Sequence, residues 1–239
     1  EALGREADTP AQDSLGLKED LTALEERVLA IRQRLDAQRP QLAERLASQA
    51  SQAGWQVLRA RNAEEASLQI RQLVQEKGVQ RIVRAEYPVF RKLHLHHTLE
   101  DLGVRVTPMA LGVGGTREGL HREASLAELG LTGVDYAIAE TGTCVLIPRR
   151  GVSRLVSLLP PLHLALVEPE QMVETLDDLL VLRTLAFYKN KKNNPTLSTY
   201  MSFITGPSRT ADIEQTLVIG VHGPREVYLL LLGDFSFQE

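Results

Sequence analysis

The chain has 239 residues, of which 43% are hydrophobic and 24% are charged, and its formal net charge is -4 at pH 7. A chain of this length and composition can bury a large core, which excludes a mainly disordered protein. The acidic balance argues against general nucleic-acid binding, which needs lysine and arginine to neutralise phosphates, and no apolar run reaches the roughly 18 to 20 residues of a membrane span.

Cys144 is the single cysteine. One thiol cannot form an internal disulfide, and it cannot hold an iron–sulfur cluster or a cysteine-rich zinc site within one chain. We therefore expect a cytoplasmic protein without a metal site or a cofactor of its own.

The N-terminal part is predicted to be helical after a short leader. Residues 1–16 are small and polar and are expected to form a mobile leader. The apolar residues that follow recur at steps of four and three and fall on one helical stripe, formed by Leu17, Leu21, Leu24, Val28, Ile31 and Leu35. This stripe is either a dimerising or partner-binding seam or a face packed on its own domain, and its short length favours the second interpretation. A second helix over 40–53 follows, so 17–53 is predicted to be a helical extension.

After Gly54 the pattern alternates between short apolar strands and amphipathic helices. Strands are predicted over 55–58, 81–84 and 104–107, with helices over 62–77 and 89–102. This alternation is typical of a mostly parallel sheet flanked by helices.

The last part of the chain is predicted to add antiparallel hairpins to the same α/β domain, which spans 54–239. One helix is predicted over 169–184 and an exposed polar loop over 189–195. The predicted strands of this part are 134–139, 143–147, 155–158, 162–167, 201–204 and 227–232.

A carboxylate, two hydroxyls and a glycine follow the predicted strand 134–139, in the order Glu140, Thr141, Gly142, Thr143. Ligands of open α/β sheets bind beyond the carboxyl ends of strands, so Glu140 would face a crevice if its strand is parallel. There it could act as a nucleophile or general base. The alternative is a turn in which Glu140 pairs with a nearby arginine.

A second candidate segment follows the predicted strand 201–204. Gly206 allows a close backbone approach, Ser208 and Thr210 offer hydroxyls, and Arg209 offers a guanidinium that suits a phosphate or carboxylate. The alternative is a turn in which Arg209 bridges to a neighbouring carboxylate.

Histidines supply the remaining candidates. His222 and Arg225 surround a Gly-Pro turn before the last strand, and imidazole suits proton transfer near neutral pH. His163 is more simply explained as a structural residue at the start of a strand. Three histidines over 94–97 lack the spacing of an HExxH metal site.

Four runs of the sequence, 139–143, 154–163, 206–214 and 220–225, resemble the signature of LUD-domain proteins, and in particular of the lactate-utilisation protein C type. The resemblance covers roughly 40–239. It implies a fold like that of glucosamine-phosphate deaminase, ribose-phosphate isomerase and the CoA transferases. In CoA transferases a glutamate followed closely by glycine forms an acyl intermediate, and the Glu140 segment is similar in outline.

The resemblance also implies a function. The chain would be an accessory subunit of a cytoplasmic system that oxidises L-lactate to pyruvate, it would bind a small carboxylate or phosphate-bearing ligand, and iron–sulfur clusters would reside only in partner proteins. Two alternatives stay open. One is a stand-alone transferase, ligase or isomerase acting on a CoA or sugar-phosphate substrate. The other is a regulatory or scaffolding module, or a homo-oligomer, that uses the Leu17 to Leu35 stripe.

Overall fold

The computed structural model describes residues 21–110, 116–147, 153–191, 200–211 and 217–234. The predicted leader over 1–16 and most of the predicted polar loop lie outside these ranges. The described helices are α1 Leu21–Ala37, α2 Arg39–Ala53, α3 Ala63–Lys77, α4 Val89–Lys92, α5 Leu95–Glu100, α6 Arg117–Leu126, α7 Ser153–Leu158 and α8 Leu176–Lys191. The strands are β1 Gln56–Ala60, β2 Arg81–Arg84, β3 Arg105–Pro108, β4 Leu129–Gly133, β5 Tyr136–Ile138, β6 Thr143–Leu146, β7 Leu162–Val167, β8 Met172–Val173, β9 Ser202–Ile204, β10 Arg209–Ala211, β11 Leu217–Ile219 and β12 Glu226–Leu232.

A six-stranded sheet forms the centre of the fold, in the order β1-β12-β7-β4-β2-β3. All of its strand pairs are parallel. A four-stranded sheet in the order β8-β5-β6-β9 and a β10-β11 hairpin complete the strands. In the four-stranded sheet β5 pairs with β6, and β6 with β9, in antiparallel fashion. This confirms the predicted mostly parallel sheet with added antiparallel hairpins.

The central strands read as continuous apolar runs because helices cover both faces of a parallel sheet. All six residues of β7 are buried, and so are six of the seven residues of β12. Helix α2 contacts β1 of the large sheet and β8 of the small one, so it joins the two sheets. The C-terminal end of α2 therefore lies at the junction of the large sheet and the small sheet.

Several predicted elements are corrected. The run predicted as a strand over 155–158 is the last part of helix α7, because a short apolar run fits a buried helix as well as a strand. The helix predicted over 169–184 begins later, at Leu176, after a 3-10 turn and the short strand β8. The helix predicted over 89–102 is divided into α4 and α5.

The predicted polar loop begins later than expected, since α8 continues to Lys191. Three strands were not predicted from the sequence, namely β4 and the two strands of the hairpin, β10 and β11. Glycine interrupts the apolar pattern of β4 at Gly130, where a side chain would overlap the Val156 carbonyl of α7. That strand is nevertheless fully buried in the middle of the sheet.

The apolar stripe of α1 packs on α8 rather than facing solvent. Leu24 and Val28 are buried in a cluster with Leu185, and Val181 packs against that cluster. The first described member of the stripe, Leu21, is 47% exposed. The interpretation that the stripe packs on its own domain therefore accounts for most of its apolar residues.

An ion pair fixes the same helix contact, and we expect Arg34→Ala to lower the free energy of unfolding. The Arg34 guanidinium donates to both carboxylate oxygens of Asp178, at 2.6 and 2.7 Å. Asp178 is only 6% exposed, so loss of its partner leaves a buried charge. Because Arg34 itself is half-exposed, we expect a cost of about 1 to 2 kcal/mol, below the value for fully buried pairs.

Urea unfolding of Arg34→Ala measures this cost, with Arg105→Ala as the matched control. Arg105 pairs with Glu123 at 3.3 Å, and its side chain is 67% exposed. A smaller loss is expected there because solvent screens the pair. Equal losses in both variants would contradict the assigned role of the Arg34 pair.

None of the helices within the described ranges combines the length and apolar character that a membrane crossing requires. Within the same ranges, no cluster of three or more histidine, cysteine, aspartate or glutamate side chains is arranged to hold a metal ion.

Candidate functional site

A cavity lies at the amino-terminal edge of the large sheet, next to β12. It has a volume of about 400 Å³. Helix α7 forms one wall, and β9 with the turn that follows it forms another. The lining residues are Arg154, Ser157, Leu158, Tyr200, Met201, Ser202, Phe203, Ile204, Thr205, Gly206, Pro207, Ser208, His222, Gly223, Pro224 and Val227.

The local fold explains why these segments meet. The Ser208 backbone N–H donates to the Pro224 carbonyl at 3.0 Å, and the Gly220 N–H donates to the Ser208 carbonyl at 2.9 Å. These bonds tie the turn after β9 to the Gly-Pro turn before β12. Two of the three segments singled out in the sequence therefore form one wall of the cavity.

The electrostatic character of the cavity is positive. Arg154 and His222 line it, and none of its described lining residues is aspartate or glutamate. Hydroxyl groups come from Ser202 and Ser208, whereas the Ser157 hydroxyl donates to the Arg154 carbonyl at 3.1 Å. Such a set of donors suits an anionic ligand group.

Two aromatic rings stand at the wall formed by β9 and the residues before it. The Arg154 guanidinium carbon lies 5.5 Å from the centroid of the Tyr200 ring, within the range of a cation–π contact. Tyr200 and Phe203 are 46% and 47% exposed. The cavity therefore combines positive charge with large, half-exposed aromatic surfaces.

The structure brings three of the ten predicted site residues into this cavity, namely Gly206, Ser208 and His222. Gly206 also has a packing role, because its φ is 91° and a side chain there would overlap the Ala53 carbonyl at the end of α2. The three residues come from the segments predicted to bind an anion and to hold a proton-transfer group.

Glu140 lies elsewhere and has a structural partner. Its carboxylate accepts the backbone N–H of Leu176 at 2.9 Å, at the first residue of α8. A carboxylate at a helix N-terminus satisfies an otherwise unpaired N–H and interacts favourably with the helix dipole. The strand before it, β5, pairs parallel with β8 but antiparallel with β6. Its proposed nucleophilic role stays a prediction.

The residues after Glu140 connect to the cavity only indirectly. The Thr141 hydroxyl donates to that of Thr143 at 2.8 Å, and the Thr143 hydroxyl lies 2.7 Å from that of Thr205, which lines the cavity. Gly142 lies against α2, where a side chain would overlap the backbone of Ala50. Thr143 is 4% exposed.

The remaining predicted anion-binding residues are also engaged in the fold. Arg209 donates to the Ala53 carbonyl at 2.8 Å, while Asp212 and Glu214, its alternative partners, lie outside the described residues. Thr210 pairs with Val218 in the β10-β11 hairpin. The Arg225 side chain lies over Gly220, and its backbone N–H donates to Pro161 at 2.9 Å. Their assignment to a ligand site stays a prediction that the geometry does not favour.

Sequence reasoning missed Arg154, Ser157, Tyr200 and Phe203 as cavity residues. A signal existed for Arg154, since it begins the run 154–163 that carries the family resemblance. The wrong prediction of a strand over 155–158 obscured this signal, because it is helix α7 that places Arg154 beside the turn after β9. No sequence pattern marks Tyr200 or Phe203 as cavity residues.

Beneath the cavity, His163 is completely buried. It pairs in register with Val227, which lines the cavity, and its Nε2 lies 2.8 Å from the Thr132 hydroxyl. Burial lowers the pKa of His163 from 6.5 to about 3, so the ring is neutral at physiological pH. Burial also raises the pKa of the Cys144 thiol, which keeps it protonated and unreactive.

Comparison with known proteins gives consistent family matches. A family model described as the LUD domain matches residues 43–232. Lactate utilization protein C from Halalkalibacterium halodurans is 31% identical over 162 residues, which cover 68% of this chain and 66% of that protein. Lactate utilization protein B from Shouchella clausii is 25% identical over 235 residues, 79% of this chain and 47% of that protein.

The matched region thus spans about half to two thirds of these curated relatives. Among solved structures, a DUF162 family protein from Deinococcus radiodurans has the same fold, with a TM-score of 0.56 at 22% identity, over 82% of this chain and 98% of that one. Since the family model covers most of the chain and its relatives include several proteins of the C type, this chain belongs to the LUD domain family, lactate utilization protein C type.

Proposed function

We propose that this chain is an accessory subunit of a cytoplasmic system that oxidises L-lactate to pyruvate. The names of the relatives support a role in lactate utilization. The single cysteine, Cys144, is buried and protonated, so electron transfer through clusters would require iron–sulfur partner proteins. We propose such proteins as its partners.

The ligand of the proposed subunit is a small molecule with a carboxylate or phosphate group, bound in the cavity beside β12. The observation that carries this part is the Arg154 guanidinium in a lining that has no acidic residue among its described members and that also includes the His222 imidazole. A guanidinium can donate two parallel hydrogen bonds to a carboxylate or a phosphate. Ser208 adds a hydroxyl from the turn that follows β9.

The alternatives considered from the sequence have weaker support. A transferase with Glu140 as nucleophile would need a carboxylate free to attack, whereas this one accepts the Leu176 N–H. A scaffolding module would need the α1 stripe exposed, whereas Leu24 and Val28 are buried against α8. No observation favours either one over the accessory subunit.

Lactate-dependent dye reduction by the purified iron–sulfur partners, with and without this chain, tests the accessory role. A higher rate in its presence is expected, and an unchanged rate would remove the proposal.

In the same assay, Arg154→Ala is expected to reduce the stimulation of the dye-reduction rate by this chain, by up to about tenfold, since a hydrogen bond to a charged group contributes roughly 1.5 kcal/mol or more. Arg209→Ala distinguishes this site from the one predicted by sequence. It removes a bond to the Ala53 carbonyl, outside the cavity, and is expected to leave the rate nearly unchanged. The opposite ranking of the two variants would place the ligand at Arg209.

A further inference from the structure

The cavity is too large for lactate. Its volume is about 400 Å³. Lactate has six non-hydrogen atoms and fills on the order of 100 Å³, since a water molecule takes roughly 30 Å³ in the liquid and bonded atoms lie closer together. Lactate held by Arg154 would leave most of the cavity walls without contact.

The aromatic side of the cavity is suited to a planar ring. Tyr200 and Phe203 line the cavity and are about half-exposed. Large aromatic surfaces bordering a cavity offer a stacking platform for a flat unsaturated group. The Arg154 guanidinium, which lies within cation–π range of Tyr200, is a further flat group on which the ring of a ligand can stack.

The turn after β9 and the turn before β12 supply groups for an anion. The Thr205 and Ser208 hydroxyls and the His222 imidazole line this part. The turns that carry Ser208 and His222 are tied together by the Ser208 N–H bond to Pro224, so these side chains are held near each other before any ligand binds. Preorganised donors bind an anion at a lower entropic cost than mobile ones.

We infer that the cavity takes a mononucleotide-like anion, in which a planar ring system is joined to a phosphate, and that lactate is not its ligand. This inference rests on the proposed function, for which it names the ligand class. The ring stacks on Tyr200 and Phe203. The phosphate accepts hydrogen bonds from Arg154 and from the hydroxyls of the turn after β9. The apolar side chains of Leu158, Ile204 and Val227 contact the ring edge and the linking atoms.

Isothermal titration calorimetry of the full chain tests the inference. The ring-bearing probes are AMP and coenzyme A, which share adenine and differ in the attached groups, and flavin mononucleotide, which carries a different ring. The ringless probes are inorganic phosphate and L-lactate. At least one ring-bearing probe is expected to bind at least tenfold more tightly than either ringless probe.

The variant Tyr200→Ala is expected to weaken binding of that probe about tenfold, because base–aromatic stacking contributes roughly 1 to 3 kcal/mol per ring. The affinity of this variant for inorganic phosphate should fall less than its affinity for the ring-bearing probe, since phosphate loses only the contact between Tyr200 and Arg154. Tyr200→Phe should retain the binding of the ring. Because Tyr200 is half-exposed, thermal unfolding of both variants should match that of the unaltered chain.

Three results would overturn the inference: lactate binding as tightly as the best ring-bearing probe, no binding of any ring-bearing probe, or an unchanged affinity in Tyr200→Ala. Each of them leaves the accessory role standing, because that role is decided by dye reduction with the partner proteins. An unchanged dye-reduction rate together with tight nucleotide binding would remove the lactate role and keep the nucleotide site.

Discussion

Replacing Gly142 by alanine is expected to lower the free energy of unfolding by about 2 to 5 kcal/mol. Two costs add. Gly142 has a φ of 66°, in the left-handed region, where a side chain costs about 1 to 2 kcal/mol. An alanine methyl would also overlap the backbone of Ala50 in α2, and forcing extra volume into a packed contact costs about 1 to 3 kcal/mol. Urea unfolding measures the sum.

Gly103→Ala is the matched control, since Gly103 has the same φ of 66° and, apart from its chain neighbours, no atom of the described residues lies within 4 Å of the position that a side chain would occupy. This variant carries the backbone strain without the overlap and should lose only about 1 to 2 kcal/mol. If Gly142→Ala loses no more than Gly103→Ala, the close contact with α2 has no energetic weight. A stable Gly142→Ala chain that no longer binds its ligand would instead support the anion-binding role predicted from sequence.

The packing role of Gly142 depends on α2. The end of this helix contacts Gly142, Gly206 and the Arg209 guanidinium, and these three residues come from two separate segments of the sequence. The two glycines and the arginine near strand ends therefore allow the chain after β5 and after β9 to pack closely against α2. The same residue types, in the same places, are also typical of a ligand site. Sequence alone could not distinguish a packing role from a ligand-binding role, because the two roles differ in which part of the chain packs against these residues.

Much of the fold was predictable because it follows from local periodicity. The positions of β2 and β7 agree with the prediction residue for residue, since both apolar runs have the length of a strand and stand between turn residues. Helix α3 was predictable from its amphipathic spacing and from Gly78, which ends it in the left-handed conformation. These signals need no knowledge of the rest of the chain.

The missed elements depend on tertiary contacts. Strand β4 contains Gly130 because α7 crosses it closely, and the glycine weakens the apolar pattern that marks a strand. Helix α7 has the apolar run of a strand because its buried side packs on β4. The two errors therefore share one cause, a close helix–strand contact that removes the local signal from both partners.

The candidate site was only partly predictable for a related reason. Ser208 and His222 were identified because hydroxyl and imidazole groups near glycine are chemically informative in any sequence. Arg154 and Tyr200 meet only through the folding of segments 46 residues apart, by the difference of their numbers. Their cation–π contact has no local sequence pattern.

Below the same cavity, the buried imidazole of His163 should make the stability of the protein depend on pH. His163 has no exposed surface, and its Nδ1 has no hydrogen-bond partner among the described residues. Trp55, the single tryptophan of the chain, lies beside it with ring centroids 6.1 Å apart. A proton on this ring would create a charge in an apolar environment without a counter-ion, which is the physical reason for the lowered pKa.

The direction of the pH effect follows from proton binding in the two states. The pKa of His163 is about 3 in the folded chain and 6.5 in the reference state, so between these values the unfolded chain binds more protons. The stabilisation is complete above pH 6.5 and is lost as the pH falls toward 3. The slope is about 1.4 kcal/mol per pH unit, so the free energy of unfolding should be about 2 kcal/mol lower at pH 5 than at pH 7.

Urea unfolding followed by Trp55 fluorescence at the two pH values measures this difference, because the probe lies next to the titrating ring. In His163→Gln the difference should shrink by about 2 kcal/mol, whatever stability the variant loses at pH 7. His121→Gln, at an exposed position of α6, should keep the full difference and serves as the control. The carboxylates whose pKa is lowered by ion pairs, such as Glu44 and Glu226, titrate below this window and do not affect the comparison. An undiminished pH dependence in His163→Gln would mean that another group governs acid stability and that His163 binds protons equally in the folded and unfolded chain.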